Sequence, residues 1–274
     1  RSKPFEAIAA EGGALLRELL NISEDYAVLF VQGGASTQFA AVPLNLMHKG
    51  RADYVVTGNF AKKAFQEAKL FGDAQKVASS EDKTYTYIPD VDAIPFREDT
   101  DYVHICANNT IFGTRYTRFP ETKAPLVADM SSDILSRVID VSKFGVIYAG
   151  AQKNLAPAGV TIVIARRDLI ADPLPACPTM LRWKVQDENK SLYNTPPCFS
   201  IYMATLVLRR LKALGGIAEM QKVNEYKAGL LYDFIDASPF YTNGVVKEDR
   251  SIMNVPFVTP SKELDEKFVK ESKA

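Results

Sequence analysis

Four segments of this 274-residue chain carry residues whose type and spacing could do chemistry. The first is the turn Gln32-Gly-Gly-Ala-Ser-Thr-Gln38, set between an apolar run and a helical pattern. Small residues let backbone N–H groups approach an anion, and a helix start adds a favourable dipole, so a phosphate fits there. A tight strand–helix turn with no ligand fits as well. The segment is neither a GxGxxG fingerprint nor a P-loop, which disfavours a dinucleotide dehydrogenase or an NTPase. The second is Asp129, which follows the apolar stretch Leu126–Ala128. A carboxylate at the carboxyl end of a buried strand lies in the crevice of an open α/β sheet and needs a cationic partner. A protonated pyridine nitrogen would serve, and so would the N–H groups of a following helix. The third is Lys153, placed after Val146–Tyr148 and the turn Ala149-Gly-Ala-Gln152. Partial desolvation there would make its neutral amine available for a Schiff base, although a surface loop lysine is the commoner case. An aromatic closely following Gly58, Phe60, completes the set.

Positioning these groups calls for strands and helices in alternation. Short apolar runs at Tyr26–Val31, Asp53–Thr57, Tyr102–Cys106, Leu126–Ala128, Val146–Tyr148 and Val160–Ala165 read as strands. Helical spacing is found at Phe5–Leu20, weakened by Gly12-Gly13, at Thr37–Met47 with a disturbance at Pro43, and at Phe60–Phe71. The expected fold is α/β, with parallel or mixed strands and helices on both faces. After Pro196 long helical patterns run over Ser200–Leu214 and Ile217–Ile235. A single strand candidate, Ile252–Val258, and a last helix from Lys262 follow. The reading is a large domain over 1–215 and part of a smaller α+β domain over 216–274.

Composition bounds the function. Lys plus Arg and Asp plus Glu number 33 each, so no charge excess argues for nucleic acid or an anionic membrane. No apolar run approaches the roughly 20 residues needed to cross a bilayer. Cys106, Cys177 and Cys198 are widely spaced, with no CxxC pair, which suggests reduced thiols rather than zinc ligands or disulfides. His48 and His104 have no metal constellation and read as surface and strand residues; Trp183 reads as packing in a loop. The chain starts at Arg1 rather than Met and ends in a helical pattern, so it is expected to be a piece of a longer protein.

The order of these segments resembles that of the phosphoserine aminotransferase family, class-V enzymes of fold type I that use pyridoxal 5′-phosphate. The strings that carry the likeness are VLFVQGGASTQFAAVPLNL, ADYVVTGNFAKKAFQEAK, ADMSSDILSRVIDVSKFGVIYAGAQKN, SLYNTPPCFSIYM and RSIMNVPF, spread over nearly the whole chain. The resemblance implies an aspartate-aminotransferase-like large domain with a mostly parallel sheet of the seven-stranded type, and an incomplete small domain. It implies that Lys153 holds the cofactor as a Schiff base and moves the substrate α-proton, and that Asp129 pairs with the pyridine nitrogen. Ala35, Ser36 and Gln152 would bind the cofactor phosphate, Phe60 would stack on the ring, and Thr110 would hydrogen-bond on the side of the ring hydroxyl. Asn194 and Thr195 would reach the cofactor phosphate of a second subunit, making a homodimer with shared active sites. Arg1 would grip the substrate.

Four departures from the family pattern stand out. Phe60 replaces the usual tryptophan, Ala156 replaces a frequent glycine, and both the histidine before Arg1 and the C-terminal substrate-binding segment are missing from this chain. The implied reaction is O-phospho-L-serine plus 2-oxoglutarate to 3-phosphooxypyruvate plus L-glutamate, in cytoplasmic L-serine biosynthesis. Another transaminase of the same fold, or a cofactor-binding homologue without activity, remains the alternative.

Overall fold

A computed structural model describes residues 2–273. Its order is α1 (Lys3–Leu20), β1 (Tyr26–Val31), α2 (Gly34–Leu46), β2 (Arg51–Val56), α3 (Asn59–Ala68), β3 (Asp73–Ser79), β4 (Tyr102–Cys106), β5 (Asn108–Asn109), β6 (Thr114–Arg115), β7 (Leu126–Asp129), β8 (Val146–Gly150) and β9 (Thr161–Arg166). Then come α4 (Trp183–Glu188), α5 (Cys198–Ala213), α6 (Gly216–Ala237) and α7 (Lys262–Glu271).

Seven strands form one sheet in the order β1-β9-β8-β7-β4-β2-β3. The pairings among β3, β2, β4, β7 and β8 are parallel; β9 is antiparallel to both of its neighbours, β8 and β1. Two reversals restore the direction, so β1 runs parallel to β8. The sheet is mixed and mostly parallel, with continuous apolar strands because both faces are covered. One face packs Ile105, Ala128, Ile147 and Ile162 against Leu16 of α1 and Ile201 and Leu208 of α5. The other packs Tyr54, Val127, Tyr148 and Val163 against Phe39 and Val42 of α2 and Ala64 of α3.

Local chemistry explains most element boundaries. Pro4 sits in the first turn of α1, where its missing N–H costs nothing, and Asn21 ends the helix in the left-handed region at φ 51°. Gly12 does not break α1. A Cβ there would lie 2.7 Å from Thr205 Oγ1, so the glycine is what allows α1 to pack closely on α5. Pro43 lies inside α2 without ending it.

The structure differs from the sequence reading in three places. Ile252–Val258 is not a strand; only Val258 forms a bridge, with Thr242. Its polar groups are bound instead in turns, with Ser251 Oγ accepting from the N–H groups of Met253 and Asn254. Conversely β3, Asp-Ala-Gln-Lys-Val-Ala-Ser, is an edge strand too polar to register as an apolar run. Trp183 is in α4 rather than a loop, fully buried, with its indole N–H donating to Gln38 Oε1 at 3.2 Å.

Candidate active site

The four chemical segments all leave the sheet at one edge. Asp129 is the last residue of β7, paired with Cys106 at the end of β4 and with Tyr148 near the end of β8. Thr110 follows β4 and Lys153 follows β8, while Phe60 is the second residue of α3, after β2. The glycine turn follows β1. Val31 of β1 and Gly150 of β8 both pair with Thr161, so the Gly33 turn and the Lys153 turn flank the same residue of β9. This is the carboxyl edge of the parallel strands, where open α/β sheets bind ligands.

The glycine turn is built for an anion. Gly33 has φ 97°, and a Cβ there would fall 1.9 Å from Thr37 Oγ1; only glycine lets Thr37 fold back to donate to Gly33 O at 2.9 Å. No side chain caps α2. The first intrahelical bond is Thr37 N–H to Gly33 O, which leaves the N–H groups of Gly34, Ala35 and Ser36 to an outside acceptor. Ala35 packs against the same apolar cluster as Phe60 and Tyr148. Ser36 and Gln152 are exposed, and the Gln152 amide lies over Gly150, where a Cβ would be 2.8 Å from its Oε1.

Lys153 is exposed in this chain, contrary to the expected desolvation. Its amine is nonetheless held in place. Nζ donates to Thr110 Oγ1 at 2.8 Å and lies 4.5 Å from the centre of the Phe60 ring. Lys153 therefore bridges Thr110 and the face of Phe60.

Asp129 is 5% exposed. Its Oδ1 accepts from the Ser131 N–H at 2.9 Å and from the Ser131 hydroxyl at 2.6 Å. Among the described residues nothing donates to Oδ2. Of the two sequence readings of Asp129, the structure bears on the capping one. One oxygen does cap backbone, though of a turn rather than a helix, and the other is left over. Two hydrogen bonds to a carboxylate are each worth about 1.5–3 kcal/mol. Desolvating the charge costs several kcal/mol, so burial wins unless a cation arrives. Burial accordingly pushes the Asp129 carboxyl above the usual carboxylate range, against the opposing pull of the Ser131 hydroxyl and N–H, with the charge of Lys153 the smallest influence. A buried carboxylate with one unpartnered oxygen fits a protonated heterocyclic nitrogen. Together with the free N–H groups of α2 and the Phe60 face, it fits a planar phosphorylated cofactor.

Around this centre lies a buried amide network that the sequence reading missed. Asn109 Nδ2 donates to Thr57 Oγ1 at 3.1 Å and Thr114 Oγ1 at 2.9 Å, and its Oδ1 closes on Gly58, beneath the start of α3. Asn108 Nδ2 donates to Ser132 Oγ and to Asn254 Oδ1, both at 2.8 Å. These two residues directly precede Thr110. The available signal was Asn-Asn itself after a buried strand, since amides there must find partners.

The whole chain, residues 1–274, matches the model of aminotransferase class-V. It belongs to the aminotransferase class-V family. Within that family it is 54% identical over 275 residues to a phosphoserine aminotransferase of Bacillus thuringiensis subsp. konkukian, covering all of this chain and 76% of that one. The fold superposes on a phosphoserine aminotransferase from Bacillus circulans subsp. alkalophilus with a TM-score of 0.97 at 47% identity, over 100% of this chain and 76% of the other. A PLP-bound phosphoserine aminotransferase from Trichomonas vaginalis gives 0.94 at 37%, covering 100% and 79%.

Of the remaining site candidates in this class-V chain, Asn194 and Thr195 are exposed in the loop before α5. The carbonyl of Thr195 accepts from Gln32 Nε2 at 2.8 Å, so the loop rests against the glycine turn of its own chain. Arg1 lies outside the described residues. His48 is exposed. His104 is buried in β4, its Nε2 2.8 Å from the Tyr148 hydroxyl, and burial lowers its pKa to about 3, so it stays neutral. No cluster of three or more potential metal ligands occurs among the described residues.

Proposed function

We propose that this chain carries the amino-transfer chemistry of a phosphoserine aminotransferase, converting O-phospho-L-serine and 2-oxoglutarate to 3-phosphooxypyruvate and L-glutamate in L-serine biosynthesis. Its cofactor is pyridoxal 5′-phosphate. The observation that carries the reading is the pairing, at one sheet edge, of a reactive amine held at 2.8 Å by Thr110 with a buried carboxylate that keeps one oxygen free.

When bound, the cofactor supplies a carbonyl that accepts the amino group and an electron-withdrawing ring. The residues of the chain do the rest. Lys153 would hold the cofactor through its amine and would act as general base toward the proton on the substrate α-carbon. Asp129 holds a proton on the ring nitrogen. The N–H groups of Ala35 and Ser36, with Gln152, bind the phosphate, so that the helix dipole of α2 faces it. Phe60 covers the ring with an apolar face, smaller than an indole and without its N–H. Thr110 orients the amine and the ring-hydroxyl side.

Asn194 and Thr195 complete the phosphate site of a second copy in a homodimer. Exposed Tyr193, Phe199 and Tyr202, at 47%, 68% and 42% exposure, supply apolar surface next to them for such an interface. Arg1 contributes to substrate anion binding. Residues 1–215 form the cofactor domain and 216–274 part of a smaller one. A cytoplasmic location is supported by three free cysteines. No helix is long and apolar enough to cross a membrane among the described residues.

The test is spectroscopic and then chemical. Wild-type protein mixed with pyridoxal phosphate is expected to develop the visible absorbance of a Schiff base, and Lys153→Ala to lose it. Phosphoserine with 2-oxoglutarate should outperform serine, alanine or a glyoxylate acceptor in kcat/KM. A protein that stays colourless, or a preference for an unphosphorylated amino acid, overturns the assignment. The second outcome points to another transaminase of this fold.

A further inference from the structure

We propose that Ser131 is a positioning residue that sets how Asp129 presents its free oxygen and ties it to the segment bearing Lys153. The inference rests on the role proposed above for Asp129. Ser131 is buried, at 3% exposure. Its hydroxyl has one proton, given to Asp129 Oδ1 at 2.6 Å. Its oxygen in turn accepts the Gly150 N–H at 3.0 Å. Gly150 is the last residue of β8, three positions before Lys153. One side chain therefore bridges the ends of two adjacent strands, and those strands carry the two groups that flank the chemistry.

The bridge has a direction. Because Gly150 donates to the oxygen, the hydroxyl proton has only the carboxylate to go to, which polarises it toward Asp129. With the Ser131 backbone N–H also on Oδ1, at 2.9 Å, the carboxylate is clamped through one oxygen, and the other has no donor among the described residues. A hydroxyl that donates to the charged form favours that form. Ser131 thus partly offsets the burial that works against ionisation, and keeps Asp129 charged where a protonated ring nitrogen needs it.

Two quantities report this without reference to the substrate: the affinity of pyridoxal phosphate for the full chain, and how that affinity changes with pH. In wild type, affinity should fall as pH drops and Asp129 takes up a proton. Asp129→Asn identifies that limb by lacking it. Ser131→Ala is expected to weaken cofactor binding about tenfold, the size of one lost hydrogen bond to a charged group. It is also expected to move the acidic limb upward by about one pH unit. Ser131→Thr, which keeps the hydroxyl, should restore both. A merely structural serine predicts a lower melting temperature with the acidic limb unmoved.

If Ser131→Ala does not accumulate as folded protein, Ser131→Cys keeps the volume with a weak donor and should show the same shift in smaller degree. Wild-type affinity and an unmoved limb in the folded Ala or Cys variant overturn the proposal, as does failure of Thr to restore them. A protein that binds the cofactor normally yet prefers another amino acid leaves it standing and defeats only the substrate assignment.

Discussion

Two strand carboxylates in this sheet are almost equally buried and are treated in opposite ways. Asp53, in β2, is completely buried and saturated. Its Oδ1 accepts from Arg97 Nε at 2.6 Å and its Oδ2 from the Arg97 backbone N–H at 2.7 Å. Arg97 also reaches Asp73 Oδ2 at 2.6 Å and the carbonyl of Ala52 at 2.9 Å, which fixes the guanidinium in place. Asp129, in β7, has a serine on one oxygen and nothing from the described residues on the other. Asp53 sits within its strand, where no ligand can come, and the chain supplies the counter-charge. Asp129 sits at the carboxyl edge, where one can, and the counter-charge is left out. A buried carboxylate that a fold does not neutralise marks where a cationic ligand is meant to go.

The contrast is broken most severely from the structural side. Removing one partner of a buried ion pair leaves the other uncompensated, typically at about 3–5 kcal/mol. Arg97→Ala should come in near the low end, because the Arg97 side chain is 24% exposed and water can partly take its place. The measurement is chemical denaturation of the holoenzyme, with kcat per folded molecule unchanged. Asp53→Asn on top of Arg97→Ala should recover much of the loss, since the charge that was stranded is gone. A double variant no more stable than Arg97→Ala would mean that Asp53 is not the stranded charge, and the comparison would fail.

Asp129→Asn makes the reciprocal case. The amide is nearly isosteric but cannot hold a proton on a ring nitrogen. Turnover should fall about 100- to 1000-fold, the usual effect of deleting one preorganised electrostatic contact. Measured as kcat on saturated enzyme, near-normal turnover would remove Asp129 from the site and leave its burial unexplained.

Why Asp129 was legible in the sequence and Asp53 was not follows from the same contrast. Asp129 stands at the end of an apolar run and before Met-Ser-Ser, so its position at a strand terminus is local information. Asp53 is inside a run, and its partner is 44 residues away in a loop between β3 and β4; no local pattern connects them. Lys153, Phe60 and the glycine turn were readable for the first reason, each lying just after a strand, whereas Thr110 was named only through the family resemblance. Their convergence depends on strand order and on β9 reversing direction, which the sequence does not state. Ser131 is an intermediate case. An Asp followed two residues later by Ser announces a local turn, but the Gly150 N–H that polarises its hydroxyl belongs to another strand. The failed strand at Ile252–Val258 has a like origin. Its β-branched residues suggested pairing, yet Asn254 and Ser251 are committed to Asn108, with Ser251 Oγ donating to Asn108 Oδ1 at 2.5 Å, and the segment follows those bonds instead.

The smallest effect is also the one that separates function from stability most cleanly. In the cofactor-free protein Asp129 is raised above its ordinary 3.8 by burial. A carboxyl with a raised folded-state pKa binds more protons folded than unfolded in the window above 3.8, so its contribution to stability declines as pH rises through that window and stays low above it. At neutral pH the charged side chain therefore works against the fold until a ligand cation arrives. Asp129→Asn removes that burden. The cofactor-free variant should melt slightly higher than cofactor-free wild type at neutral pH, by about 2–4 °C if the relief is near 1 kcal/mol. The gap should close as pH is lowered below 3.8, where wild type is neutral too. Adding pyridoxal phosphate should reverse the order, since only wild type gains the ion pair. The corresponding Asp53→Asn variant should be less stable at neutral pH with or without cofactor, because its carboxylate is already paired. Thermal melts of the two variants in both states therefore give four signs, of which only the cofactor-free pair differs, and equal signs for Asp53 and Asp129 without cofactor would end the distinction between a carboxylate the fold uses and one it reserves.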